Sequence, residues 1–265
     1  MQAGLMRVLQ WFYQWGSVPF FYRVADGLWL WFLGISLVPL LGSWVWGLAF
    51  VPEDYLQQNS FRIIYVHVPA AFLAQSVYLL AAISGLIYLV WRIKLYSYLL
   101  RACIPIGTLF TILALITGSI WGKPTWGTYW VWGDARLLAV VVLLFFYLSM
   151  WGLDQTFSNR NQANRAIALL AIIGVINIPI IQYSVEWWFT LHQPASLKLG
   201  RGSSIAPVML WPLLLSIAGH YLFAAGLLLL KTCHLVLLQE QKATWLGLYV
   251  KNRVKSNIKS RKKSA

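Results

Sequence analysis

Six long stretches of this sequence contain no Asp, Glu, Lys or Arg. The shortest lies between Arg136 and Asp154 and has 17 residues, and the run between Arg62 and Arg92 has 29. About 20 apolar residues in a helix cross a bilayer, and only a helix or a closed barrel satisfies its own backbone groups in lipid. The pattern therefore predicts an all-α membrane protein with six transmembrane helices. The predicted spans, within one integral membrane domain covering 1–265, are 28–50, 63–91, 102–121, 137–153, 166–183 and 207–230.

The composition excludes other classes of protein. Hydrophobic residues make up 60% of the chain and charged residues only 11%, whereas a soluble domain is typically about 25% charged. So few polar groups cannot cover the surface of a soluble enzyme. The composition also does not fit a disordered tail or a disulfide scaffold. Cys103 and Cys233 lie in apolar runs without a CxxC pattern, so we predict that they are buried small hydrophobic residues.

The basic residues predict the orientation. With six spans, both ends of the chain lie on one side, which carries 16 of the 21 Lys and Arg residues, and the loops of the other side carry five. The positive-inside rule therefore places both termini in the cytoplasm. Segment 242–265 is predicted to be a basic cytoplasmic tail lying against membrane lipid, and nothing resembling a nucleic-acid-reading domain precedes it. A short interfacial helix is predicted from the spacing of Leu5, Val8, Leu9, Phe12 and Trp15.

Aromatic residues are concentrated on the predicted outer face. Residues 121–132 contain four Trp and one Tyr, and Trp126, Tyr129 and Trp130 would share one face of a helix. Two interpretations stay open: a belt of rings at headgroup depth, and a platform for a large planar ligand. The aromatic residues in question are Trp121, Trp126, Tyr129, Trp130, Trp132, Trp187 and Trp188.

Two of the four histidines lie beside these aromatic segments. His67 is near the outer end of the second span and His192 is in the last outer loop, 125 positions later. Together they could bind one flat ligand from opposite faces, since imidazole is a common axial ligand of haem iron; alternatively, each is an ordinary structural residue. His220 and His234 lie in or near the sixth span without a partner motif, which favours a role in helix packing.

Charged residues flank the same segments. Arg62 and Arg136 are candidates for binding the carboxylates of a ligand, or they anchor helix ends at the headgroups. Asp134 and Glu186 are candidates for orienting a ligand histidine or bracing an arginine, or they are solvated loop charges.

Taken together, these segments resemble the CcmC family, the haem exporter protein C of the System I pathway of cytochrome c maturation. Residues 121–136 are similar to the tryptophan-rich "WWD" loop of that family. Residues 62–71, 116–119 and 184–193 also resemble family segments, and six spans is the family pattern. The similarity covers the chain from about residue 40 onwards.

The resemblance implies a protein that holds haem b at the outer face of the bacterial inner membrane and delivers it to the haem chaperone CcmE. It implies His67 and His192 as axial ligands of the haem iron, and Arg62 and Arg136 as contacts to a propionate or to the chaperone. The haem platform that it implies consists of Trp121, Trp126, Tyr129, Trp130, Trp132, Asp134, Trp187 and Trp188. The implied partners are CcmE, the ABC transporter subunits CcmA and CcmB, and the small adaptor CcmD.

Two positions depart from the family signature. Tyr129 stands where the family usually has Trp, and Gly133 separates Trp132 from Asp134 where the family runs Trp directly into Asp. On a helix, one extra residue turns the following side chains by about 100°, whereas a glycine in a loop absorbs the insertion locally.

The main alternative is a membrane b-type haem electron-transfer protein. It needs paired histidines on facing helices inside the bilayer, and the sequence offers His220 alone. A haem channel needs a polar path, and the spans carry almost no charges. The chain has no Walker A pattern, so we do not expect a stand-alone ATPase; whether assisting the attachment of haem to a chaperone makes it an enzyme stays open.

Overall fold

The structure is a computed structural model that describes residues 13–14, 16–188, 190–192, 197–198 and 202–253. The predicted N-terminal helix, with Leu5, Val8, Leu9, Phe12 and Trp15, lies outside these residues, as does the tail beyond residue 253. The α-helices, in chain order, are α1 (Val18–Ala25), α2 (Leu28–Val45), α3 (Ile64–Trp91), α4 (Lys94–Trp126), α5 (Ala135–Thr156), α6 (Arg160–Gly174), α7 (Asn177–Trp187) and α8 (Pro207–Gln239). A π-helical turn (Trp46–Phe50) extends α2, a 3-10 turn (Asn59–Ile63) precedes α3, and residues 244–253 are helical.

Six helical segments of the described chain are long and apolar enough to cross a membrane, which confirms the predicted all-α class with six spans. They are Leu28–Phe50, Asn59–Trp91, Lys94–Trp126, Ala135–Thr156, Arg160–Trp187 and Pro207–Gln239. The helices continue past the charge-free runs because Lys and Arg at helix ends can extend their charged groups to the interface. Two short strands, Leu197–Lys198 and Gly202–Ser203, pair antiparallel before α8.

The fifth span is broken in its middle, between α6 and α7. Pro179 lies in the first turn of α7, where it has no N–H to donate and its ring crowds the carbonyl four residues earlier, at Val175. Asn177 fixes the break, because its side-chain amide donates to the Ala139 carbonyl of α5 at 2.8 Å. The break thereby ties α7 to α5 just below the end of the bundle where the candidate site lies.

Close packing of tyrosine against glycine fixes the interior of the bundle. Tyr147 of α5 is fully buried, and its hydroxyl donates to the Ala74 carbonyl of α3 at 2.9 Å. A Cβ atom at Gly107 of α4 would lie 2.0 Å from the Tyr147 ring, so only glycine allows this approach. The predicted burial of Cys103 and Cys233 is confirmed, and both thiols are free.

Ion pairs join the helices at the end of the bundle where α3 ends and α4 begins. Arg101 of α4 lies 2.9 Å from Asp154 of α5, which Arg160 of α6 also approaches at 3.2 Å. Just beyond α8, the Glu240 carboxylate accepts hydrogen bonds from Lys94 at 2.5 Å and from the Tyr98 hydroxyl at 2.7 Å. These pairs link α4 to α5, α6 and the end of α8.

Acidification is expected to weaken the Glu240 contacts. Burial alone would raise the pKa of Glu240, but hydrogen bonds from Lys94 and Tyr98 outweigh it and hold the pKa below its usual 4.5. A carboxylate with a lowered pKa stabilises the fold above the unfolded pKa, and this contribution is lost as pH falls through the folded pKa. The thermal midpoint of detergent-solubilised wild type should therefore exceed that of Glu240→Gln at neutral pH, and the difference should shrink below about pH 4.5. A difference independent of pH would contradict this assignment.

Candidate functional site

A cavity of about 280 Å³ opens at the end of the bundle where α4 ends and α5 begins. Its walls come from α3, α4, α5, α7 and α8 and from the loop before α8. Most of its lining is aliphatic or aromatic, and no carboxylate lines it within the described residues. Its polar lining side chains include Gln57, His67, Gln75, Arg136, Gln182 and His192. The two histidines singled out by the sequence therefore line one cavity.

His67 enters the cavity from the first turn of α3. Its Nδ1 atom lies 3.0 Å from the hydroxyl oxygen of Thr117 on α4, and its ring meets the Trp121 ring edge-on with centroids 5.6 Å apart. A Cβ atom at Gly118 would lie 3.0 Å from Cε1 of the His67 ring. The segment 117–121 of α4 thus holds the imidazole on three sides.

His192 enters from the loop after α7, and Asp134 holds it. The Nδ1 atom of His192 lies 3.0 Å from Oδ1 of Asp134, and its ring meets the Trp126 ring with centroids 4.7 Å apart. The Asp134 side chain is fully buried and also accepts the backbone N–H groups of Leu137 and Leu191, each at 2.9 Å. One carboxylate therefore caps α5 and fixes both the backbone and the ring of the histidine loop.

Asp134 is ionised throughout the neutral range. Burial alone would raise its pKa, but the hydrogen bonds from His192, Leu137 and Leu191 outweigh burial and lower the pKa to about 2. The carboxylate accepts two backbone N–H groups and lies 3.0 Å from Nδ1 of His192, and its position as the N-cap of α5 also favours a negative charge. The charge is therefore available to attract the Nδ1–H of His192.

The structure brings some of the predicted platform rings to the cavity but not others. Trp121 and Trp126 line it, whereas Asp134 lies behind His192. The remaining rings are not among its lining residues and contact one another or Lys123 instead: Tyr129, Trp130, Trp132, Trp187 and Trp188. The predicted helical face of Trp126, Tyr129 and Trp130 is wrong, because Gly127 adopts a left-handed conformation (φ 78°) that ends α4.

The two candidate arginines have different surroundings. Arg62 donates to the carbonyls of Gly47, Leu48 and Val51 and to the side chain of Asn59, at 2.7–2.8 Å, and it does not line the cavity. Arg62 thereby joins the carbonyl end of the first span to the turn before α3.

Arg136 does line the cavity. Its Nε and Nη2 atoms donate to Ser184 and to the Gln182 carbonyl of α7, both at 3.3 Å. Its Nη1 atom has no hydrogen-bond partner among the described residues, which leaves one donor group for an anion. The other sequence candidate, Glu186, does not line the cavity.

Sequence reasoning missed several polar residues of the site. Gln57 accepts a hydrogen bond from the indole N–H of Trp121 at 2.7 Å and so joins the α2–α3 loop to α4. Thr117 contacts His67, although the segment 116–119 had drawn attention only through its family resemblance. Uncharged Gln and Thr residues in loops and helices carry no spacing signal, and their roles depend on contacts between distant segments.

The other two histidines do not line the cavity. His220 is buried in α8, where its Nδ1 atom lies 2.8 Å from the Ser216 carbonyl and its ring lies 6.0 Å from that of Trp44. This fits the predicted packing role. His234 is exposed near the opposite end of α8.

Comparison with known proteins shows extended similarity. The family model described as "CcmC: Heme exporter protein C" matches residues 11–247. The Heme exporter protein C of Escherichia coli (strain K12) is 45% identical over 235 residues, which cover 89% of this chain and 94% of that protein. That of Haemophilus influenzae is 45% identical over 237 residues, or 89% and 96% of the two chains. A putative cytochrome c biosynthesis ccmC-like mitochondrial protein of Marchantia polymorpha is 39% identical over 207 residues, or 78% and 85%. The chain therefore belongs to the Heme exporter protein C family.

Proposed function

We propose that this protein binds haem b in the cavity between His67 and His192, at the outer face of the bacterial inner membrane, and delivers it to the haem chaperone CcmE. The observation that carries the proposal is that both imidazoles line one mainly apolar cavity whose wall includes Trp121 and Trp126. Haem, a large apolar ring with an iron atom and two carboxylates, matches this combination of groups.

Each group has a distinct task in holding haem. The Nδ1 atoms of His67 and His192 contact Thr117 and Asp134, which leaves each Nε2 atom to bind iron. Trp121 and Trp126 supply apolar ring surface for the porphyrin. Arg136 supplies the guanidinium for a propionate, whereas the contacts of Arg62 support a structural role at the first span.

The distribution of charge supports an outer-face site. The cavity lies at the end of the bundle where α4 ends and α5 begins, the side for which the sequence predicts five of the 21 basic residues, and α8 runs from there towards the predicted basic tail 242–265. Under the positive-inside rule, the cavity then faces away from the cytoplasm and both termini are cytoplasmic. Haem held there is within reach of a chaperone anchored in the same membrane.

From the family resemblance we also propose that an ABC transporter composed of CcmA and CcmB, with CcmD as a small adaptor, releases the loaded chaperone by ATP hydrolysis. The chain contains no Walker A pattern of its own, which fits this division of tasks. This protein holds and orients haem while a covalent bond forms on the chaperone. Its contribution is positioning, through two histidines, two indoles and one arginine of the cavity.

Co-purification tests this function. The full chain is expressed with the chaperone, with and without the ABC subunits, and covalent haem on the chaperone is measured after denaturation. Covalent loading should require His67 and His192 and survive in His234→Ala, whose exposed side chain lies at the other end of α8. Haem reachable only from the bilayer interior, and never by a water-soluble reductant added outside, would instead support the b-type electron-transfer alternative.

Substitution Gly118→Ala should weaken haem binding without unfolding the protein. The added methyl group would lie 3.0 Å from Cε1 of His67 and would push the ring away from Thr117. We expect a roughly tenfold loss of haem affinity, in the range found when groups supporting a metal ligand are changed. The control is Gly152→Ala in α5, where a methyl group has open space. Equal affinity in both variants, measured by absorption titration, would show that the ring position does not matter.

A further inference from the structure

Both histidines of the cavity are held through the same ring nitrogen. Nδ1 of His192 lies 3.0 Å from a carboxylate oxygen, and Nδ1 of His67 lies 3.0 Å from a hydroxyl oxygen. A neutral imidazole carries one proton, on Nδ1 or on Nε2, and only an unprotonated nitrogen can bind a metal. A hydrogen-bond acceptor beside Nδ1 therefore favours the tautomer with its proton on Nδ1, which leaves Nε2 unprotonated and ready to bind iron.

A carboxylate fixes this choice for His192, because Asp134 can only accept hydrogen bonds when ionised. A hydroxyl group does not, since it can donate or accept. For His67 the tautomer therefore depends on where the hydroxyl proton of Thr117 points.

Helix α4 determines the direction of that proton. The Thr117 hydroxyl donates to the Leu113 carbonyl, one turn earlier in α4, at 2.7 Å. This bond uses the only proton of the hydroxyl, so its oxygen can meet His67 only as an acceptor. Thr117 is itself buried, with 8% of its surface exposed, so water does not readily replace either bond.

We propose that Thr117 is a positioning residue that holds His67 in the Nδ1-protonated tautomer and so keeps its Nε2 atom unprotonated and ready to bind the haem iron. The proposal rests on the proposed function for the identity of the ligand. Its structural part concerns the protein alone. A carbonyl of the α4 backbone accepts the proton of the threonine hydroxyl, and the hydroxyl oxygen is thereby left to accept a hydrogen bond from an imidazole on α3. The two sides of the cavity then reach the same tautomer by different means, a carboxylate behind His192 and a backbone-anchored hydroxyl behind His67.

The tautomer is measured directly in the haem-free full chain. Protein labelled with ¹⁵N-histidine is examined by NMR at a pH where imidazoles are neutral, and the His67 signals are identified by their loss in His67→Gln. The variants are Thr117→Val, which keeps the shape but lacks the acceptor, and Thr117→Ser, which keeps the hydroxyl. We expect His67 to be protonated at Nδ1 in wild type and in Thr117→Ser. In Thr117→Val the ratio of the two tautomers should move roughly fivefold towards Nε2–H, as loss of one ordinary hydrogen bond implies.

Wild-type His67 protonated at Nε2, or an unchanged ratio in Thr117→Val, would overturn the proposal. The wild-type measurement decides even if the valine variant does not fold. With haem added, the low-spin fraction should fall in Thr117→Val and be kept in Thr117→Ser; equal low-spin fractions would contradict the role towards iron. If wild type takes up no haem, the proposed function is wrong. The NMR measurement on the haem-free chain tests the His67 tautomer independently of that result.

Discussion

Replacing His67 or His192 by alanine is expected to remove one axial nitrogen from the bound iron and to convert a six-coordinate low-spin spectrum into a five-coordinate or water-ligated one. Both side chains line the same cavity, and each has its Nδ1 atom held by a second residue, so neither can substitute for the other. Changing a group that supports a metal ligand typically lowers affinity roughly 10–100-fold. Removing the ligand itself should lower haem affinity by at least that much. Absorption titration of the purified variants measures both effects.

The remaining histidines provide controls for this experiment. His234→Ala alters an exposed residue at the other end of α8, and its spectrum and affinity should match wild type. His220→Gln tests the buried histidine beside Trp44, which lies outside the cavity lining. A low-spin spectrum that survives in both His67→Ala and His192→Ala would remove the axial assignment, and its loss in His220→Gln would favour a haem within the bilayer.

Substitution of Asp134 is expected to have the second-largest effect, on stability and on haem binding together. Asp134→Ala leaves the N–H groups of Leu137 and Leu191 and the Nδ1 atom of His192 without their acceptor. The loss of a helix cap costs about 1 kcal/mol, and each buried donor left unpaired costs about 1–3 kcal/mol. The free energy of unfolding should therefore fall by about 3 kcal/mol or more, and haem affinity should fall because His192 loses its support.

A second helix cap, Asn159, provides a control that separates the effect on stability from the effect on haem affinity. Asn159 caps α6 by accepting the N–H groups of Asn161 and Gln162 and does not line the cavity. Asn159→Ala should lower the free energy of unfolding by about 1 kcal/mol and leave haem affinity unchanged. If Asp134→Ala behaves like Asn159→Ala in both measurements, Asp134 is only a helix cap and does not position His192.

The spans were predictable because the bilayer imposes a simple rule on sequence. Charges are excluded from its interior, so charge-free runs mark the helices, and the cost of an unpaired backbone group fixes their conformation. The break at Val175–Ile176 was harder to foresee, because Pro39, Pro105 and Pro212 lie inside unbroken helices. Pro179 differs because Asn177 lies nearby. The hydrogen bond from the Asn177 side chain to α5 stabilises the chain where the helical backbone hydrogen bonds are interrupted.

The candidate site was predictable in part. His67 and His192 stood out as the histidines beside outer aromatic segments, and the structure brings both to one cavity. The rings of the tryptophan loop separate because Gly127 ends α4, and short-range spacing could not show where the chain turns next. The donors of Arg62 are taken by carbonyls 11–15 residues away in the chain, a contact that only the fold reveals.

The structure shows the surroundings of Gly133, where the sequence departs from the expected family signature. Gly133 lies in the loop before α5, and a side chain added there would meet open space. Asp134 follows it as the cap of α5 and still reaches His192. The additional residue that the family resemblance implies at Gly133 therefore lies in the loop and does not displace Asp134 from its position as the cap.

Nitrogen hyperfine spectroscopy of the ferric protein tests the central claim most directly. The full chain is produced with ¹⁵N-histidine, loaded with haem of natural isotopic content, and examined by pulsed electron paramagnetic resonance. The account predicts one haem per chain with two ¹⁵N-imidazole nitrogens bound to a low-spin iron, and only one in either His67→Ala or His192→Ala. A protein that takes up no haem, or whose iron shows no histidine nitrogen, would contradict it.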